Sequence, residues 1–248
     1  MSELSFETGY IQSRDGTRLF YRCLPHDEPR ASLLFVHGWG EHCGRYEHVM
    51  RWFHAKGFDV SAFDYRGHGK ADGARGHCDH FDQYLADMDA FVRFVMDRAS
   101  GDRKLYLVGH SHGGLVVSAY ILQQPEGIDG VVLSAPFFAV KMKVPAPKAI
   151  AGRVMSRIWP TLALPTGIPV EVLSTDQEVG RAYEVDPLVH KVASSRWFTE
   201  STERQERVLK QADQIRLPLL MLLPGDDQLV DAEVSQNVLA SVGSTDKE

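Results

Sequence analysis

Gly109-His110-Ser111-His112-Gly113, with Gly114 behind it, is a G-x-S-x-G pattern flanked by two apolar runs. Residues 105–108 lead in with strand character, and residues 115–122 lead out with helical character. A serine on such a strand–turn–helix elbow holds its Oγ exposed on a strained turn, and the small residues let strand and helix approach closely. Its hydroxyl is a weak nucleophile at neutral pH, so it needs a base, and the base needs an orienting carboxylate. Three carboxylates crowd one later turn, Pro224-Gly225-Asp226-Asp227-Gln228-Leu229-Val230-Asp231. Asp231 suits the N-cap of a following helix, while Asp226 and Asp227 compete for the part of the acid. Negative charge developing on a substrate oxygen calls for backbone N–H donors. His112, directly after the serine, is the expected source of one, and Trp39 in the loop His37-Gly38-Trp39-Gly40 of the other. The Trp39 indole either lines the entrance to such a site or simply packs.

The elements that must position these residues alternate in type. Residues 4–12 and 18–22 read as strands around Ser13-Arg14-Asp15-Gly16, a hairpin turn. Short apolar runs at 32–36, 58–63, 105–108, 130–133 and 217–223 have the length of buried strands. Between them, residues 46–55 form an expected helix ended by Gly57, and residues 113–124 another stopped by Pro125. A longer helix over 81–98 places Leu85, Met88, Phe91, Val92 and Val95 on one face. Such alternation argues an α/β fold, a parallel sheet covered on both faces. The rhythm breaks over residues 137–185, rich in proline, which reads as a cap inserted into a single domain made of residues 1–136 and 186–248. A closing helix is expected from Asp231 to Val242, with Gly243 as its C′ residue.

With 248 residues, 44% of them hydrophobic and 10% aromatic, the chain can bury one sizeable core and is not a disordered polymer. A net charge of −6 gives no footprint for nucleic acid. No apolar run approaches the roughly 18 residues of a membrane span; the longest, residues 217–224, has strand length. Residues 1–10 lack the basic and apolar regions of a secretory signal. The cysteines Cys23, Cys43 and Cys78 are odd in number and form no C-x-x-C pair, so free thiols in a reducing, cytoplasmic setting are expected rather than disulfides or a zinc site.

These motifs resemble one family in several blocks, in order, over nearly the whole chain. His37-Gly38-x-Gly40-Glu41-His42-x-x-Arg45-Tyr46 resembles the oxyanion loop of monoglyceride lipases and their lysophospholipase-like relatives in the α/β-hydrolase fold. Phe63-Asp64-x-Arg66-Gly67-His68-Gly69, Gly73-x-Arg75-Gly76-His77 and Phe81-x-x-Tyr84-x-x-Asp87 are similar to the blocks that follow. The elbow matches except that the family usually has methionine where His112 stands. Leu162-x-Leu164-Pro165-x-Gly167 and Asp186-Pro187-Leu188 resemble the cap and its exit. The resemblance implies an α/β-hydrolase with a mostly parallel central sheet, helices on both faces and an inserted cap. It implies Ser111 as nucleophile and Asp227 as acid, because the family's acid precedes a Leu-Val-Asp-like run by one residue, as Asp227-Gln228-Leu229-Val230-Asp231 does. Trp39 and His112 would supply the oxyanion N–H groups. His37, Gly38, Gly40, Gly109 and Gly113 would shape the motif, and Glu41, His42 and Arg45 would organise the loop. No metal or organic cofactor is implied.

The last of the eleven histidines is His190, so none follows Asp227. The family's base lies beyond the acid, after a final strand, and residues 244–248 read as a charged tail. A chain truncated at the C-terminus, without its last strand and helix, is the first expectation; a catalytically incomplete, lipid-binding or interaction protein is the second. His110, His112 and His190 are the upstream substitutes to consider, each needing hydrogen-bond reach of the serine. Residues 137–170 carry Lys141, Lys143, Lys148, Arg153 and Arg157 and no acidic residue, interleaved with Met142, Ile150, Val154, Met155, Ile158, Trp159, Leu162 and Leu164. That pattern suits peripheral contact with an anionic membrane, or a cap that roofs an apolar pocket. Either way, a lipid ester with an acyl chain is the expected small-molecule substrate, monoacylglycerol or lysophospholipid, cleaved through an acyl-enzyme. A relative acting on a thioester or amide is the remaining alternative.

Overall fold

The computed structural model describes residues 5–99, 102–141 and 146–248. Strands β1 (Glu7–Gln12), β2 (Arg18–Leu24), β3 (Ser32–Val36), β4 (Asp59–Asp64), β5 (Leu105–His110), β6 (Gly130–Ser134) and β9 (Leu219–Leu222) form one sheet in the order β1-β2-β4-β3-β5-β6-β9. The hairpin β1–β2 is antiparallel and meets β4 antiparallel; every pairing from β4 to β9 is parallel. This is the α/β-hydrolase sheet, as the resemblance implies. From β3 the chain goes to β4 on one side, then to β5 on the other. The carboxyl edge of β3 and β5 is therefore the topological switch point of the sheet, the place where such folds carry their sites.

Helices α2 (Asp82–Arg98) and α3 (His112–Ile121) cover one face of the sheet. Leu34, Val36, Phe63, Leu107 and Leu133 pack there with Tyr84, Met88, Phe91 and Val116; Phe63 and Phe91 stack with centroids 4.5 Å apart. On the other face α1 (Glu47–His54) brings Met50 onto Leu33, Phe35, Val60 and Ala62. At β9 the period-2 alternation buries Leu219 and Met221 and leaves Leu220 and Leu222 exposed on the opposite side. The three cysteines are free and buried. Among the described residues, no helix is long and apolar enough to cross a membrane.

Residues 137–185 are less irregular than their prolines suggest. They contain α4 (Ala146–Ile158), β7 (Ala163–Pro165) and α5 (Gln177–Val185). The strand β7 pairs antiparallel with β8 (Val192–Ser194), so the stretch is tied to residues after it. The helix α6 (Ser195–Gln211) follows directly, its N-terminus capped by Ser194, whose side chain accepts from Trp197 N–H. Only Trp197, Ser201 and Val208 are buried on it, too few apolar positions to declare a helical period in sequence. Two further expectations change at the carboxyl end. Asp231 does cap α7 (Ala232–Ser241), but Gly243 is not left-handed; glycine is required because a β-carbon there would overlap Arg216 and the carbonyl of Asp213. Residues 246–248, expected as a charged tail, lie beside β9 in a parallel bridge: Leu219 N–H donates to Asp246 O at 3.0 Å and Met221 N–H to Glu248 O at 2.7 Å. The unpaired amides of an edge strand favour such pairing.

Candidate active site

Ser111 sits between β5 and α3 with φ of 50° and ψ of −116°, conformational strain of the kind found at functional turns. Three glycines make room for it. A β-carbon on Gly109 would stand 2.7 Å from Gly113 O and 2.8 Å from Gly114 Cα, and one on Gly113 would overlap the carbonyl oxygens of Val36 and His37. The turn is tied to β6 and beyond: Ser111 N–H donates to Ser134 O at 2.9 Å, and Phe137 N–H to Ser111 O at 2.9 Å.

The loop after β3 lies directly against this turn. A β-carbon on Gly38 would be 3.3 Å from Ser111 Cβ. Gly38 N–H donates to Glu41 Oε1 at 2.6 Å, and Gly38 O accepts from His37 Nδ1 at 2.8 Å and Tyr65 Oη at 3.0 Å. Glu41 also accepts from Tyr46 Oη at 2.7 Å and Arg45 Nε at 3.2 Å. Burial opposes its ionisation, but the neighbouring His110 and His37 and its hydrogen bonds outweigh burial, and its carboxyl titrates below the usual range. Gly40 turns with φ of 77°, and its carbonyl accepts from His190 N–H at 2.9 Å. Among the described residues, neither Trp39 N–H nor His112 N–H donates to a protein acceptor, and both flank Ser111 or the loop facing it. The indole of Trp39 stacks on Trp197, centroids 3.7 Å apart, and is edged by His68, His112 and His190.

Asp227 and Asp226 are now distinct. Asp227 Oδ1 accepts from the backbone N–H groups of Leu229 and Val230 at 2.8 and 2.9 Å, which orients the carboxylate. Asp226 is exposed and, among the described residues, its carboxylate accepts only from the side chain of Gln228, two residues away. Asp227 follows β9 as Ser111 follows β5, and β6 lies between these two parallel strands.

None of the candidate substitute bases is hydrogen-bonded to Ser111 or Asp227 among the described residues. His110 Nδ1 meets Ser134 Oγ at 3.3 Å. His112 is fully buried, with Nδ1 on Tyr65 Oη and Nε2 on Trp197 Nε1, each at 3.2 Å. Burial pushes its pKa down to about 3. His190 Nδ1 bonds Val192 O at 3.2 Å, and burial lowers its pKa to about 4. Tyr65 and Trp197 join the site without a signal in sequence, since no residue type or spacing singles them out; they reach it across the fold. Among the described residues, no group of three or more His, Cys, Asp or Glu side chains converges as a metal requires.

Known proteins match this chain throughout its length. A family profile described as serine aminopeptidase, S33 (Hydrolase_4) matches residues 27–248. Phospholipase YtpA of Bacillus subtilis is 31% identical over 208 residues, covering 83% of this chain and 79% of that protein. An uncharacterized abhydrolase domain-containing protein of Dictyostelium discoideum is 32% identical over 89% of this chain, which spans only 23% of that protein's length. The crystal structure of Paleococcus ferrophilus monoacylglycerol lipase superposes with a TM-score of 0.81 at 30% identity, covering 98% of this chain and 86% of that one. With the profile spanning residues 27–248 and the sheet described above, the chain belongs to the serine aminopeptidase S33 family of α/β-hydrolases.

Proposed function

We propose that this protein is a serine hydrolase of carboxylic esters bearing an apolar acyl chain, monoacylglycerol or lysophospholipid in type. The carrying observation is the strained Ser111 at the β5–α3 turn, with the Gly38 loop set against it. In this reading Ser111 Oγ attacks the ester carbonyl while Trp39 and His112 N–H groups hold the oxyanion. The alcohol leaves, and water then releases the fatty acid from the acyl-enzyme. Asp227, with one carboxylate oxygen held by two amides, is suited to orient an imidazole by the other, and among the described residues His110, His112 and His190 are each bonded to other groups. Its relatives carry the names of a phospholipase and a monoacylglycerol lipase, which supports lipid esters over peptides.

The exposed face of α4 supports a lipid substrate as well. Ile150, Val154 and Ile158, one turn apart, are 60%, 47% and 74% exposed, and Trp159 and Leu164 extend the patch. Arg153 and Arg157 flank it. We read residues 137–185 as a cap that rests on an anionic lipid surface, docked through α4 on α6 and through β7 on β8. Lys141 donates to Asp227 O at 2.7 Å and so also braces the acid turn; Lys143 and the side chain of Lys148 lie outside the described residues.

The second reading, a lipid-binding protein without catalysis, is favoured by one observation: His110, His112 and His190 are all bonded elsewhere. A fluorophosphonate probe separates the two. Labelling of the wild type that disappears in Ser111→Ala supports the hydrolase. Absence of labelling, together with retained binding of a fluorescent lysophospholipid, supports the binder.

A further inference from the structure

We infer that His37 and Tyr65 are positioning residues that fix the peptide plane between Gly38 and Trp39, aiming the Trp39 N–H at the oxyanion, and that the His112 side chain orients Tyr65 for this task. The inference rests on the serine hydrolase reading for its chemistry, but its geometry stands independently.

A trans peptide points its C=O and N–H in opposite directions, so pinning one end sets the other. The oxygen of this peptide, Gly38 O, is held twice: by His37 Nδ1 at 2.8 Å and by Tyr65 Oη at 3.0 Å. The neighbouring groups are held too, Gly38 N–H by Glu41 and Gly40 O by His190 N–H. Trp39 N–H, at the far end of the doubly held plane, has no acceptor among the described residues. Two donors on one carbonyl also polarise the peptide and strengthen its N–H as a donor.

The direction of every bond in the chain behind it follows from which atoms can only give or only receive. An indole N–H only donates, so His112 Nε2 accepts from Trp197 Nε1 at 3.2 Å. The proton of His112 is then on Nδ1 and goes to Tyr65 Oη at 3.2 Å. That leaves the phenol proton for the two carbonyls within its reach, Gly38 O at 3.0 Å and His37 O at 3.3 Å, of which Gly38 O is the nearer. A carbonyl only accepts, so His37 Nδ1 also carries its proton. His37, Tyr65 and His112 are all buried, so bulk solvent does not readily replace a lost partner. Burial keeps His112 neutral and Tyr65 protonated, the two states the relay requires. His112 thus serves both oxyanion donors, one by its own N–H and the other through Tyr65.

Tyr65→Phe tests this, since it keeps the ring stacked on His37 (centroids 4.2 Å) and removes only the hydroxyl. Loss of a whole oxyanion donor costs about 100-fold or more. With His37 still holding the carbonyl, we expect kinact for a fluorophosphonate to fall about 10-fold, at unchanged KI and with the fold intact. A crystal structure of the variant should show the 38–39 peptide rotated or in two orientations. Trp197→Phe, which frees His112 Nε2, should shift the His112 tautomer seen by nitrogen NMR and slow labelling less. A Tyr65→Phe structure with the peptide in its original plane overturns the inference, whether or not the wild type labels. Unchanged kinact beside a wild type that labels at Ser111 also overturns it. A wild type that does not label counts against the hydrolase reading alone, and the peptide orientation in the variant still decides the inference.

Discussion

Gly38 faces Ser111 so closely that a β-carbon on the glycine would lie 3.3 Å from the serine Cβ, and it would press on Glu41 Oε1 at 2.8 Å. The loop after β3 is therefore held against the elbow by the absence of a side chain. Gly38→Ala is expected to push the loop outward, slowing fluorophosphonate labelling by about 10-fold or more and costing about 1–3 kcal/mol of stability. Inhibitor kinetics and urea denaturation on the same sample measure both. Labelling at the wild-type rate contradicts the proposed placement of the oxyanion loop.

His42 links that loop to the segment after α5. Gly44 N–H donates to His42 Nδ1 at 3.1 Å, so Nε2 carries the proton and gives it to Asp186 Oδ2 at 2.8 Å. Burial works against ionisation of Asp186, yet the hydrogen bonds from His42 and Leu188 N–H hold its pKa below the ordinary value. A carboxylate depressed on folding stabilises above its unfolded pKa, about 3.9, and loses that contribution as pH falls through its folded value. Asp186→Ala should cost about 1–3 kcal/mol at pH 7, and the gap from wild type should narrow below pH 3.9. Denaturant midpoints across that range report it; a gap constant with pH rules out the latch.

Acid should destabilise the molecule well before its carboxylates protonate. Burial lowers the pKa of His37, His68, His112 and His190, to about 3 for His112 and about 4 for His190. Above the unfolded value of about 6.5 these groups are neutral in both states and contribute no pH dependence. Below it the unfolded chain takes up protons that the native state refuses, so stability falls by about 1.4 kcal/mol per pH unit for each group. For His112 and His190 the fall should run from pH 6.5 towards 4. Stability curves at pH 7.5, 6 and 5 check it, and a flat profile over that range is incompatible with neutral buried imidazoles.

Removing the charges beside the α4 patch should weaken lipid binding without touching the elbow. Each basic residue near an anionic surface is worth about 1 kcal/mol. Arg153→Ala with Arg157→Ala should then lower affinity for phosphatidylserine vesicles roughly 30-fold, while neutral vesicles discriminate little. Co-sedimentation at fixed ionic strength measures the ratio. Equal binding of the double variant and the wild type removes the membrane reading.

The strands and the elbow were legible because their signals are local. Apolar runs of strand length bounded by glycine marked β3 to β6 and β9, and Gly109, Gly113 and Gly114 around Ser111 marked a turn where strand and helix nearly touch. Asp227 was separable from Asp226 in sequence only through family resemblance; the structure adds a physical distinction, two backbone amides on one carboxylate against a solvent-exposed neighbour. The helix α6 was not legible, since a polar helix held by Trp197 and Val208 shows no period of its own.

What the sequence determined by itself was the kind of chemistry: a serine on a strained turn, a glycine loop to face it and a carboxylate turn to follow. Each of these depends on residues within a few positions of one another, where backbone sterics act. Only the tertiary structure decided what surrounds them. Tyr65 and His112 are 47 positions apart and His112 and Trp197 are 85 apart, yet they form one hydrogen-bonded line to Gly38 O. Such a line exists because a buried polar atom must find a partner, and packing of the sheet with α3 and α6 determines which partner is within reach.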